Sequence, residues 1–71
     1  MKNNKAFTPA KVRYINVSTK DFTKGQIYNA YFVEYWQGVR NSLHVENNSG
    51  KITDFNPFEK FEIVCDPENV L

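Results

Sequence analysis

The sequence predicts a small all-β domain built from short antiparallel strands, and two observations support this class. Aromatic and β-branched residues are concentrated in short runs, which is typical of strands. Turn-forming residues separate these runs, as they do in chains of hairpins. The predicted turns contain Thr23-Lys24-Gly25, Gln37-Gly38 and Asn47-Asn48-Ser49-Gly50.

The chain has enough residues for one domain with one small core. Its 71 residues include six Phe, four Tyr and one Trp. A chain of this size buries only about 60–65% of its unfolded surface, so these rings must supply most of the burial. The expected aromatic core consists of Tyr14, Phe22, Tyr28, Phe32, Phe55 and Phe61.

The first half of the chain predicts a flexible N-terminal arm at 1–10, followed by a single domain over 11–71. The first strand is expected over 11–17 and the longest strand over 26–36. Both faces of the longest strand are rich in aromatic residues, so one interior cannot hold them all. At least two aromatic residues of this strand should therefore be partly exposed, and the candidates are Tyr28, Tyr31, Phe32, Tyr35 and Trp36.

The second half of the chain alternates more regularly. A two-residue turn at Gln37-Gly38 leads into a strand over 39–46, in which Val39, Leu43 and Val45 are expected to face the core. A fourth strand is expected over 51–55. The residues after it predict one helical turn, with Asn56 as its cap and Pro57 at its first position. A last strand over 61–65 is expected to face inward with Phe61, Ile63 and Cys65.

Five short strands with one helical turn before the last strand predict a small five-stranded antiparallel SH3-like barrel. An OB-type barrel is the second choice, because it normally needs more residues and a longer helix.

The net charge of +1 is divided unevenly along the chain. Residues 1–25 contain six basic residues against one acidic residue, and residues 26–71 contain three basic residues against seven acidic ones. Two interpretations are open: a basic segment for nucleic acid, or two halves whose charges pair after folding. The second is favoured because the total charge is nearly zero.

Cysteine use and hydropathy predict a cytoplasmic protein. One cysteine excludes an internal disulfide framework, which a secreted domain of this size would usually need. No apolar stretch approaches the 18 residues of a membrane span, and no signal-peptide region is visible. We therefore expect no membrane partner.

Catalytic and metal-binding chemistry is not expected. One His and one Cys do not suffice for a tetrahedral metal site, and no cofactor motif is present. Cys65 is expected to be a buried, inert thiol. The sequence therefore predicts a protein that is not an enzyme and has no cofactor.

Three segments of the chain are Phe22-Thr23-Lys24-Gly25-Gln26-Ile27-Tyr28, Val45-Glu46-Asn47-Asn48-Ser49-Gly50 and Phe61-Glu62-Ile63-Val64. Together they resemble a family of small phage and prophage proteins. The resemblance covers roughly residues 11–65 and rests on turn and core positions. It implies an SH3-like barrel with a host-interacting accessory role and no catalytic residues. It also implies the host-cell cytoplasm as the compartment.

These observations predict a non-enzymatic module that binds a host or phage protein through the aromatic hairpin at 31–40. Exposed Tyr and Trp are typical anchors of protein interfaces. A homodimer through the same surface is a further possibility. Trp36 would be the central anchor, with Tyr31 and Tyr35 beside it and Arg40 or His44 giving orientation.

The alternative function is binding of single-stranded nucleic acid. Small barrels bind single strands by stacking bases on aromatic rings beside basic residues. The predicted phosphate contacts are Lys11, Arg13 and Lys24.

Overall fold

The computed structural model describes residues 7–71, so residues 1–6 of the predicted arm lie outside the described residues. The fold is all-β, as predicted, with one 3-10 turn before the last strand. The elements are β1 (Ala10–Tyr14), β2 (Ile27–Trp36), β3 (Val39–Glu46), β4 (Ile52–Pro57), the 3-10 turn (Phe58–Lys60) and β5 (Phe61–Cys65).

The five strands form one antiparallel sheet in the order β4-β3-β2-β1-β5. The first and last strands are therefore neighbours, which brings the basic and acidic parts of the chain together. Arg13 on β1 forms an ion pair with Glu62 on β5 at 3.2 Å. In the described part of the chain β4 and β5 are the two edges, so the strand pairings do not close the sheet into a barrel. Within residues 7–71, no helix has the length and apolar character needed to cross a membrane.

An aromatic cluster from three strands and one loop forms one end of the core. Phe22, in the long loop between β1 and β2, packs against Tyr14, Tyr28 and Phe61 with ring centroids 5.0–5.3 Å apart. The Tyr28 hydroxyl accepts a hydrogen bond from the Thr23 amide and so holds this loop in place. Four of the six predicted core aromatics are therefore confirmed. The small aliphatic side chains Ala10, Val12, Ala30, Val33, Leu43 and Val45 complete the buried core in the sheet.

The buried face of β2 changes along the strand. Tyr28 and Ala30 are buried, but the next buried residue is Val33, and Phe32 is 52% exposed. The ladder with β3 is irregular between Ala30 and Phe32, where Tyr31 is the extra residue. A bulge opposes two residues to one and reverses the alternation beyond it. The prediction that Phe32 belongs to the core was therefore wrong.

A second bulge removes Phe55 from the core. Leu43 pairs with Asn56 and Val45 with Thr53, so one residue of β3 opposes two residues of β4. Phe55 lies in this bulge with φ of 60° and is 78% exposed, which contradicts its predicted burial. Left-handed backbone is uncommon for a bulky side chain and costs about 1–3 kcal/mol.

Three predictions for the last part of the chain also fail. The Asn56 side chain does not cap the 3-10 turn; its amide nitrogen donates to the carbonyls of Leu43 and Thr53. Cys65 is exposed, because a register shift pairs it with Lys11 on the outer face of β1. Ile63 is also partly exposed, at 38%.

Val39 was predicted to face the core but is 66% exposed. It pairs with Trp36 at the end of the β2–β3 hairpin, beyond an irregularity between Glu34 and Tyr35. The first strand ends at Tyr14, earlier than predicted, and leaves Ile15 exposed.

Candidate functional site

The β2–β3 hairpin ends in a tight turn that the sequence predicted correctly. Gln37 has φ of 52° and Gly38 has φ of 78°. Two positive φ values in a two-residue loop define the type I′ geometry, whose twist matches that of the flanking strands. The turn therefore places Trp36 directly opposite Val39.

One face of this hairpin is apolar and open to solvent. Because cross-strand partners lie on the same side of a sheet, Phe32 shares a face with His44, and Trp36 shares a face with Val39. Phe32, Trp36 and Val39 are each more than half exposed. We call this surface the hairpin face and define it by Phe32, Glu34, Trp36, Val39 and His44.

A polar pair lies among these apolar side chains. His44 Nε2 is 3.1 Å from Glu34 Oε2, and the imidazole and the Phe32 ring make a T-shaped contact with their centroids 5.3 Å apart. Ion pairs at this degree of exposure contribute little to folding stability. The pair instead fixes the orientation of two hydrogen-bonding side chains within an apolar surface.

Tyr35 and Arg40 lie on the other side of the hairpin. They pair with each other one residue along from Trp36, and so fall on the opposite face. The Arg40 guanidinium stacks over the Phe58 ring at 5.1 Å and donates to the Leu71 carbonyl at 3.2 Å. Arg40 therefore connects the hairpin to the 3-10 turn and to the end of the described chain.

Tyr31 belongs to a polar network at the base of the hairpin. Its hydroxyl and the Asn29 side-chain Nδ2 both donate to Glu46 Oε1, and Lys11 Nζ donates to the side-chain Oδ1 of Asn29. Phe7 stacks on the Tyr31 ring at 6.2 Å. Desolvation, followed by the Glu46 carboxylate, raises the pKa of Tyr31 above its ordinary value.

The predicted binding residues therefore separate into groups. Only Trp36 and His44 come together on the hairpin face. Tyr35 and Arg40 lie on the opposite face of the hairpin, and Tyr31 lies in the polar network at its base. Of the predicted phosphate contacts, Lys11 and Arg13 are bonded to side chains of the protein, and Lys24 is exposed in the turn before Gly25.

The sequence reasoning missed three residues of the hairpin face: it placed Phe32 and Val39 in the core and gave Glu34 no role in binding. The apolar character of both faces of the strand indicated that some of its rings must be exposed, and this was confirmed. Strict alternation did not identify which rings these are, because it assumes a ladder without bulges. Among the described residues, no cluster of three or more His, Cys, Asp or Glu side chains could hold a metal ion.

Comparisons with known proteins give one relative and no family. The chain is 39% identical over 64 residues to the mouse protein "C-type lectin domain family 1 member A". The alignment covers 79% of this chain but 22% of that protein, so the chain spans about a fifth of the relative's length. No family model matches the chain, and no solved structure matches it.

Proposed function

We propose that this protein is a non-enzymatic interaction module that binds another protein through the hairpin face. The observation that supports this function is the exposure of Phe32, Trp36 and Val39 on one face, around the Glu34–His44 pair. Aromatic residues are enriched at protein interfaces, where they supply large rigid contact areas. A net charge near zero also suits a protein partner better than a polyanion.

Trp36 is the anchor in this proposal. It lies next to the turn, is 65% exposed, and so can enter a pocket of the partner without disturbing the core. Hot spots of binding are typically aromatic side chains surrounded by contacts that exclude water. Phe32 and Val39 would provide that surround, and the Glu34–His44 pair would set the orientation through hydrogen bonds.

An SH3-like barrel is the fold that we propose for the sheet. The strand order, with β1 between β2 and β5, supports this fold, as does the 3-10 turn before the last strand. We propose the cytoplasm as the compartment, because the free, exposed thiol of Cys65 suits a reducing environment. A phage origin and a host or phage protein as partner remain predictions from the resemblance.

The test is affinity capture from a lysate, with and without nuclease, using the wild-type protein and the Trp36→Ala variant. We expect one dominant protein that persists after nuclease and is lost with Trp36→Ala. Recovery that disappears with nuclease would instead favour nucleic acid. Light scattering of the purified protein tests self-association, which would make a second copy the partner.

A further inference from the structure

The two edge strands of the sheet differ in how well they are protected from pairing with another strand. At the β4 edge, Phe55 lies in a bulge with φ of 60°, and the strand ends at Pro57, which has no N–H group to donate. Bulges, proline and charged side chains are the features by which edge strands avoid further pairing. The β4 edge is therefore poorly suited to accept another strand.

The β5 edge is open. The strand contains neither proline nor glycine, and Ile63 and Val64 are β-branched. Its register with β1 is regular from Phe61 to Ile63 and shifts only beyond Ile63. Among the described residues, β5 pairs with β1 alone, and every residue of the strand after Phe61 is exposed. An exposed, regular and largely apolar edge of this kind is a template for pairing with another chain.

The hydrogen bonds of β1 determine which backbone groups of β5 face the open edge. The Tyr14 amide donates to the Gln26 carbonyl, so Tyr14 directs its backbone groups toward the start of β2. Its partner Phe61 therefore directs its carbonyl away from β1, and the alternation of an antiparallel ladder gives both groups of Ile63 the same direction. The Phe61 amide is already used, because it donates to the Phe58 carbonyl. The Phe61 carbonyl and both backbone groups of Ile63 are thus directed at the open edge.

The charges at this edge favour a basic partner over a second copy of the chain. The Glu62 side chain is 57% exposed, and its contact with Arg13 uses Oε1, so the other oxygen can accept from a basic side chain on the open side. Residues 59–66 contain three acidic residues and one basic residue. If two copies of β5 paired with Ile63 opposite Phe61, one Glu62 would lie directly opposite the other. Like charges in that position destabilise a strand pair.

We propose that the β5 edge binds an extended segment of a partner protein by strand addition, and that this segment has a basic residue between two apolar residues. The basic residue lies opposite Glu62, and the apolar residues lie opposite Phe61 and the partly exposed Ile63. Because side chains alternate along a strand, the two apolar residues share one side of the sheet and the basic residue lies on the other. Main-chain hydrogen bonds give such a complex its affinity, and the side chains give it selectivity. This inference does not depend on the hairpin face.

The first experiment tests the backbone pairing with the peptide acetyl-Ser-Ile-Lys-Val-Ser-amide, titrated into the protein and followed by NMR amide shifts. Methylation of the backbone nitrogen of Val removes the donor to the Phe61 carbonyl and should weaken binding about two- to tenfold, the value of one hydrogen bond. Methylation of the backbone nitrogen of Lys is the matched control, because that N–H points away from β5. Equal affinities of the two methylated peptides, shifts confined to regions outside β5 and β1, or no binding would overturn the proposal.

The second experiment tests the charge preference with a peptide in which Glu replaces the central Lys. We expect this peptide to bind the wild-type protein about two- to fivefold more weakly, as for one exposed ion pair. Glu62→Gln should reduce that difference, whereas Asp54→Asn should keep it, because Asp54 is exposed on β4 at the other edge of the sheet. A full preference for Lys in Glu62→Gln would show that Glu62 does not select the partner and would overturn the proposal.

Ile63→Pro closes the edge from the side of the protein. Proline removes the N–H group that faces the open edge, which is not one that pairs with β1, so the sheet should stay folded while the peptide no longer binds. The amide spectrum checks the fold, and the methylated peptides decide the question if this variant unfolds. Unchanged peptide affinity in the folded variant would overturn the proposal. So would a wild-type dimer, seen by light scattering, that Ile63→Pro converts to monomer, because a second copy would then occupy the edge.

Discussion

Phe32 and His44 face each other across the β2–β3 ladder, with ring centroids 5.3 Å apart and planes at 77°. The imidazole Nε2 also lies 3.1 Å from Oε2 of the Glu34 carboxylate. An aromatic ring and a hydrogen-bonded polar pair are thus held in one arrangement on an exposed strand face. This preorganisation reduces the entropy lost when a partner binds, because these side chains are already ordered.

Replacing Trp36 by Ala should weaken partner binding by about 2 kcal/mol or more, as expected for a central aromatic anchor. The free energy of unfolding should change by less than about 0.5 kcal/mol, because Trp36 is 65% exposed. Binding is measured by calorimetry with the captured partner and stability by urea titration. If the variant unfolds, Trp36 belongs to the core and the proposed function fails.

Tyr35→Ala is the matched control for this variant. Tyr35 is 56% exposed and adjoins Trp36, but the pleat places it on the opposite face. We expect partner affinity close to that of the wild-type protein. Equal losses in the two variants would instead favour an interface that wraps around the hairpin, as the sequence alone predicted.

Phe55→Gly should stabilise the fold by about 1 kcal/mol, because glycine adopts a φ of 60° without steric cost. For a domain of this size, that gain corresponds to a rise in melting temperature of about 4–8 °C. Phe55→Ala is the control, since alanine keeps the strain while losing the ring. An equal gain in both variants would show that the exposed ring, not the backbone, is the source of instability.

The sequence predicted elements wherever local residues determine the structure. The turn at Gln37-Gly38 depends on glycine, and the bounds of β3 depend on the alternation of polar and apolar residues. The predicted turn and the predicted bounds were both confirmed. The positions of Phe32 and Phe55 depend on bulges, which arise from how two strands pair and leave no signal within either strand. The hairpin face was therefore predicted in location but only partly in composition.

Gln37→Asn should stabilise the hairpin, because asparagine tolerates positive φ better than glutamine and Asn-Gly is a preferred type I′ turn. We expect a gain of about 0.5 kcal/mol in the free energy of unfolding. The measurement is urea denaturation. Gln37→Val, whose β-branched side chain disfavours positive φ, should lose stability, and a gain from Val would contradict the assigned turn geometry.

Arg40→Ala should destabilise the fold by about 1–2 kcal/mol, because it removes the cation–π contact with Phe58 and the hydrogen bond to the Leu71 carbonyl. Arg40→Lys should recover part of this loss, since an ammonium group can also lie over the ring. Urea denaturation measures both. An Arg40→Ala variant with normal stability and weakened partner binding would restore Arg40 to the interface that the sequence predicted.

Tyr31 should titrate above the ordinary tyrosine pKa of 10.0, because desolvation and the Glu46 carboxylate both disfavour the phenolate. A pKa that is higher in the folded state stabilises the fold below the unfolded pKa, and this contribution is lost as pH rises through the folded pKa. Alkaline solution should therefore destabilise the wild-type protein more than Tyr31→Phe.

The direct measurement is ultraviolet absorbance of the phenolate, taken as the difference between the wild-type protein and Tyr31→Phe. In Glu46→Gln the Tyr31 pKa should fall toward its ordinary value, because the neighbouring charge is removed while an acceptor oxygen remains. A Tyr31 pKa that does not change in Glu46→Gln would show that desolvation alone shifts it.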